Sequence, residues 1–329
     1  MNFSKPPLTV KQQVDQLKQR GLIINDEKDA MHALKNISYY RLAGYWWPLQ
    51  SDKSLHVFKN NSKFDNVIKI YNFDSELRTL IFDIIEHIEI SLRTKLIYHL
   101  CHEFNPWWFE DASIFSSNPE YIDMISTIDR DLKLHKSKEV FLQEHYKKYN
   151  SDTRRPPCWK TLEIVSMGTL SKIYGNLKNS VKSKDLIAHE YGTVNFTYLQ
   201  TWLQSITQIR NICAHHGRLW NRNLPGRPKL LPNPPDKWIS VIPPSKKHHE
   251  LYIHLCCMKY LMNRINPGNN FTYRLHSLLA KYPNIDIHAL GMNNKWYKEN
   301  LWNNKIDTEI TRLSLFFEKA VFLLKNKFR

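Results

Sequence analysis

Asp74-Ser75-Glu76-Leu77-Arg78-Thr79-Leu80-Ile81-Phe82-Asp83-Ile84-Ile85-Glu86-His87-Ile88-Glu89-Ile90-Ser91-Leu92-Arg93-Thr94-Lys95-Leu96-Ile97-Tyr98-His99-Leu100-Cys101-His102 is strongly helical in pattern. Leu77, Leu80, Ile81, Ile84, Ile85, Ile88, Leu92, Leu96 and Leu100 recur in steps of three and four, which places them on one broad face of an α-helix. A face that wide belongs at the centre of a core, so this segment predicts a central helix in an all-α fold. Its other side carries Glu86, Glu89 and Arg93 at three-, four- and seven-residue offsets. Those charges either pair along the helix or stand beside an active site.

Working outward, Thr9-Val10-Lys11-Gln12 reads as a capping box opening a helix with Val10, Val14 and Leu17 on its apolar side and Gly21 closing it. A second short helix is expected after Asn25-Asp26, carrying Ala30, Leu34 and Ile37. The aromatic run 39–48 then favours core packing over base stacking, although Arg41 sits within it. Downstream, Asn105-Pro106-Trp107-Trp108 breaks the central helix, a polar helical region spans about 119–149, and Arg154 and Arg155 lie in a loop basic enough to touch phosphate or simply to be solvated. Helices resume near 159–174 and 184–191. Seven of the sixteen prolines fall between Pro225 and Pro244, so no regular helix crosses that span. The organisation expected is an entry segment (1–50), a core (51–224), a proline-rich linker (225–245), a further helical part (246–307) and an amphipathic helix (308–329) with Ile310, Leu313, Phe317, Ala320 and Leu324 on one face.

Composition narrows the partners. Lys and Arg outnumber Asp and Glu by 47 to 31, a net charge of +16, which favours a polyanion, nucleic acid first. The five cysteines are odd in number and lack C-x-x-C spacing, so a reduced, cytoplasmic setting is expected and no metal site or cofactor is indicated. No apolar run reaches the ~18 residues of a membrane span, and the N-terminus has no signal-like core.

Chemistry is concentrated at the end of a helix expected over 197–217. Leu199, Trp202, Ile206, Ile209 and Cys213 make a buried stripe that His216 extends, so His216 is expected to point inward as a buttress. Gln204, Gln208, Asn211 and His215 make a parallel polar stripe, so His215 is expected at the surface. Arg210 is five residues, about 140°, from His215, close enough for a long side chain to swing toward it. Gly217 reads as the helix stop, with Arg218, Arg222 and Arg227 beyond it as further phosphate contacts. An imidazole that moves protons near neutral pH and a permanently charged guanidinium suit metal-free RNA cleavage, with Asn211 orienting either group. One histidine cannot readily act as base and acid in one turnover, which favours two copies of the segment facing each other in a homodimer.

The run Arg210-Asn211-Ile212-Cys213-Ala214-His215-His216-Gly217-Arg218-Leu219-Trp220-Asn221-Arg222 resembles the signature of Abi-like abortive infection proteins of the AbiD/AbiF type, and its opening resembles the R-x4-6-H motif of HEPN ribonucleases. Ser38-Tyr39-Tyr40-Arg41-Leu42-Ala43-Gly44-Tyr45-Trp46 and Ile88-Glu89-Ile90-Ser91-Leu92-Arg93-Thr94 resemble the same family, in the same order, and the likeness spans about 8–305. The resemblance implies a HEPN-like helical bundle with additional N-terminal and C-terminal helices. It also implies metal-independent endoribonuclease activity in phage defence, carried by Arg210 and His215 and supported by Asn211, His216, Glu89 and Arg93. A homodimer is expected, with an RNA substrate and a structured small RNA as regulator. The alternative is a non-catalytic RNA-binding module acting with a partner RNA or protein. Arg93 and His99 also satisfy R-x5-H, but lie about 120° apart on a helix already committed to packing.

Overall fold

The computed structural model describes residues 6–303; the amphipathic helix expected at 308–329 lies outside the described residues. Among these there are twelve α-helices and one small hairpin, so the fold is all-α.

The chain opens with α1 (Val10–Gln19), whose N-terminus is closed by the expected Thr9–Gln12 capping box, and α2 (Glu27–Ile37), capped by Asp26. A third helix, α3 (Tyr39–Trp46), follows, then the hairpin β1 (Gln50–Asp52) and β2 (Val57–Phe58), which the sequence reading did not anticipate. Gly21 takes a left-handed φ of 91° as the chain leaves α1.

The central helix α4 runs from Phe64 to Glu103, 40 residues and so roughly 60 Å, starting ten residues earlier than the apolar stripe indicated. Its two parts serve different cores. Phe64 and Val67 join Val14, Leu17, Ala30, Leu34, Leu42, Tyr45 and Trp46 in an N-terminal cluster, whereas every leucine and isoleucine of the stripe from Leu77 to Leu100 is buried in the main cluster.

Around that main cluster lie α5 (Asn118–His135), α6 (Val140–Lys148), the short α7 (Cys158–Thr161), α8 (Met167–Asn176), α9 (Lys182–Glu190) and α10 (Phe196–Ala214). After α10 come α11 (Leu251–Ile265) and α12 (Phe271–Lys281), and α4 packs against α8 through α12. Helix α11 is buried at every position from Leu251 to Met262, as a helix without a polar face must be. The proline-rich segment 225–245 has no α-helix, as expected, but it is held against the body: Leu231, Trp238 and Ile239 enter the main core, and Trp238 stacks on Trp202 at 5.6 Å.

Candidate active site

The segment singled out for chemistry lies where α10 ends against the middle of α4. Leu199, Trp202, Ile206, Ile209 and Cys213 are buried, fixing the rotation of α10, and Asn211 and His215 are exposed on its other side as expected. The helix ends sooner than the wheel reading required. His215 is its cap; His216 takes a left-handed φ of 55°; the Gly217 amide donates to the Ile212 carbonyl at 2.7 Å and the His216 amide to the Cys213 carbonyl at 3.0 Å. That pair of bonds is a Schellman turn in which a histidine occupies the position usually held by glycine.

Two expectations are corrected by this turn. His216 is exposed and does not buttress the core, because extrapolating 100° per residue fails once the backbone enters the left-handed region. Gly217 is not the left-handed residue; a Cβ there would stand 3.1 Å from Ile212 Cγ2 and 3.2 Å from the Ile212 carbonyl oxygen, so a side chain is crowded at this position.

Arg210 projects toward α4. Its guanidinium lies over the Phe82 ring, 5.8 Å from the centroid, and its Nε is buried without a hydrogen-bond partner. A groove of about 320 Å³ between the two helices is lined by Arg210 with Phe82, Glu86, Glu89 and Arg93. An adjoining depression of about 510 Å³ is lined by Phe82 and Glu86 again, with Arg78, Asp83, Cys213 and His216. The two depressions share Phe82 and Glu86, with Arg210 lining one and His216 the other; His215, the exposed helix cap, lines neither. The Glu86 carboxylate has no ion-pair partner among the described residues, whereas Asp83 pairs with Arg274. Burial pushes the Cys213 thiol up to about 12, so it stays protonated beside this groove.

What holds the turn in place was not singled out from the sequence. Asp74, wholly buried on α4, accepts from the Trp220 amide at 2.6 Å, the Leu219 amide at 3.0 Å and the Tyr45 hydroxyl at 2.7 Å, and pairs with Arg78. Burial pushes its carboxyl up, while Arg78, both amides and Tyr45 pull the other way. Arg78 also lies 3.5 Å from the Gly217 carbonyl oxygen, and Arg41 donates to the His216 carbonyl at 2.6 Å. Guanidiniums thus satisfy carbonyls left open where α10 ends. A signal was present: Asp74 and Arg78 are charged residues four apart, in register with Leu77 and Ile81 on the apolar face of α4.

The remaining candidates divide. Glu89 and Arg93 form an ion pair at 3.0 Å, and Arg93 also donates to the Leu162 carbonyl at 2.8 Å and the Val165 carbonyl at 3.1 Å, so its role is to clamp the chain between α7 and α8 onto α4. Arg218 donates to the Trp220 and Asn221 carbonyls, both at 2.8 Å, which ties it into the turn, while Arg222 and Arg227 are exposed. Arg154 pairs with Asp152 at 2.8 Å and stacks on Trp107, and Arg155 pairs with Asp129 at 2.6 Å and Glu110 at 3.2 Å. Both sit beside Trp107, just past the C-terminal end of α4. His99 is likewise committed, 2.9 Å from Glu190.

Among the described residues no cluster of His, Cys, Asp and Glu is placed to hold a metal ion, and no helix is long and apolar enough to cross a membrane. In comparisons with known proteins, no curated protein and no solved structure matches the chain. One family model does, described as Abi-like protein, over residues 32–221, a region that begins in α2 and ends just beyond the turn held by Asp74.

Proposed function

The chain belongs to the Abi-like protein family, and on that footing we propose that it is an endoribonuclease of phage defence whose reaction is carried by Arg210 and His215, with His216 as a second imidazole. The observation that carries this reading is the end of α10. There an arginine whose Nε has no partner faces a groove, His216 lines the adjoining depression, and His215 is exposed next to it in the chain as the helix cap.

The chemistry follows from the residue types. A substrate 2'-hydroxyl attacks the adjacent phosphorus, one imidazole takes its proton, the bond from phosphorus to the 5'-oxygen breaks, and an imidazolium returns a proton to that oxygen. The products are a 2',3'-cyclic phosphate and a 5'-hydroxyl. Arg210 stabilises the phosphorane as charge accumulates on its oxygens. In this scheme no metal takes part. Two neighbouring histidines divide the acid and base roles within one chain or between two copies in a homodimer, which answers the difficulty a single histidine presents. The +16 charge supports RNA as substrate and a structured RNA as regulator.

The test is cleavage of RNA by the full chain in the presence of a chelator, with end-group analysis. Wild type is expected to leave 2',3'-cyclic phosphate ends, His215→Ala to lose roughly 10²–10⁴-fold in rate, and Arg210→Ala about 10²–10³-fold, with unchanged circular dichroism. His216→Ala decides the division of labour, since an equal loss there makes it the second proton carrier. Cutting that survives both Arg210→Ala and His215→Ala removes the assigned site. Tight, salt-sensitive binding of RNA that remains intact favours a non-catalytic binding module instead.

A further inference from the structure

Away from the groove, the C-terminal end of α4 meets the start of α7 through two sulfurs. Cys101, on the last turns of α4, and Cys158, the first residue of α7, are 57 positions apart in sequence, and their Sγ atoms stand 2.8 Å apart. Cys101 is part-exposed and Cys158 is fully buried. Both backbones are well anchored. The Cys158 amide donates to the Pro106 carbonyl at 2.9 Å, and Trp107 Nε1 donates to the Arg155 carbonyl at 2.8 Å, which closes the 103–158 excursion at its base.

We propose that Cys101 and Cys158 are an oxidation site, a thiol pair that peroxide converts to an intramolecular disulfide joining α4 to α7. A disulfide needs its sulfurs about 2.05 Å apart, so less than 1 Å of closure is required. Such closeness gives the second thiol a very high effective concentration against the first.

The two thiols differ in access, which sets the order of events. Cys101 meets the oxidant because it is the part-exposed member. Its thiolate attacks one peroxide oxygen and the O–O bond breaks; the departing hydroxide becomes water and a sulfenic acid remains on Cys101. The Cys158 sulfur then attacks the Cys101 sulfur, the S–O bond breaks, and hydroxide leaves with the Cys158 proton as a second water. Two thiols lose two electrons in all, and peroxide is reduced to two waters. Burial, and then the neighbouring Cys101 sulfur, hold the Cys158 thiol up, so it does not attack peroxide first; what makes it the resolving thiol is its sulfur standing 2.8 Å from that of Cys101. The bridge would fasten the segment that Arg93 already grips through the Leu162 and Val165 carbonyls.

The experiment uses the native full chain, treated with hydrogen peroxide, quenched with an alkylating agent and read by intact mass and non-reducing peptide mapping. A loss of about 2 Da, a single cross-linked peptide joining Cys101 to Cys158, and its disappearance on dithiothreitol treatment are expected. Cys213, Cys256 and Cys257, all buried, should remain thiols. In Cys158→Ser the Cys101 sulfenic acid should persist and be trapped by dimedone, and in Cys101→Ser peroxide should produce no bridge. The proposal is overturned if wild type accumulates sulfenic or sulfinic acid at Cys101 without bridging, or if the cross-link joins other cysteines. Because Cys101→Ser changes a part-exposed side chain, it also serves if Cys158→Ser does not fold.

Discussion

Replacing Asp74 by alanine removes the acceptor that gathers α3, α4 and the turn after α10. Four donors lose this acceptor: the Leu219 and Trp220 amides, the Tyr45 hydroxyl and the largely buried Arg78 guanidinium. An uncompensated buried charge alone costs about 3–5 kcal/mol, and each orphaned amide about 1–3 kcal/mol before the turn relaxes toward water. Relaxation recovers part of this, so the expected loss is about 4–6 kcal/mol, a large share of the roughly 5–15 kcal/mol that holds a folded protein together. The assay is chemical unfolding followed by far-UV circular dichroism, with amide exchange read at Leu219 and Trp220, which should lose protection first. The companion measurement is a double-mutant cycle. Asp74→Leu with Arg78→Met removes both charges and should be more stable than Asp74→Leu alone, because no buried charge is left unpaired. The reasoning fails if Asp74→Ala costs less than about 1 kcal/mol, or if the double variant is no better than the single one.

Other outcomes follow from the same structure. His254 is buried on α11 and hydrogen-bonded to Ser205, and burial, with His249 adding to it, lowers its pKa from 6.5 to about 3. The unfolded chain therefore takes a proton there before the folded one does. Stability from keeping this ring neutral is complete above pH 6.5 and is lost as pH falls from 6.5 toward 3, by up to about 5 kcal/mol. His254→Gln should flatten the urea midpoint over that window, and an unchanged pH slope in the variant would refute the assignment. At the turn, His216→Gly should stabilise by up to about 1 kcal/mol by relieving a left-handed non-glycine residue. Gly217→Ala should instead destabilise by about 1 kcal/mol, since its Cβ crowds Ile212 Cγ2 at 3.1 Å and the Ile212 carbonyl oxygen at 3.2 Å. Thermal melts of the two variants moving in the same direction would contradict the Schellman geometry.

Much of the architecture was legible because it is written in short-range periodicity. The α4 stripe from Leu77 to Leu100, the α10 stripe from Leu199 to Cys213, and the Thr9 and Asp26 caps all depend on neighbours within four residues, and all stand as read. The start of α4 was missed because Phe64 and Val67 serve the N-terminal cluster while the stripe beyond serves the main one, so no single apolar face runs the helix's length. At the site, exposure of His215 was legible and the orientation of His216 was not. A 3.6-residue period holds only while the backbone stays helical, and nothing in the sequence around His215-His216-Gly217 says which of the three turns left-handed.

The sequence by itself determined an all-helical protein with a basic composition, and the polar stripe of α10 on which Asn211 and His215 are exposed, because helix formation and amphipathicity are local properties. Only the tertiary structure decided that Asp74 reaches 145 residues along the chain to hold Leu219, that Arg41 and Arg78 close the end of α10, and that Arg154 and Arg155 spend their charge on acidic neighbours. Those are contacts between distant parts of the chain, and a buried charge chooses its partner only when folding has removed water as the alternative.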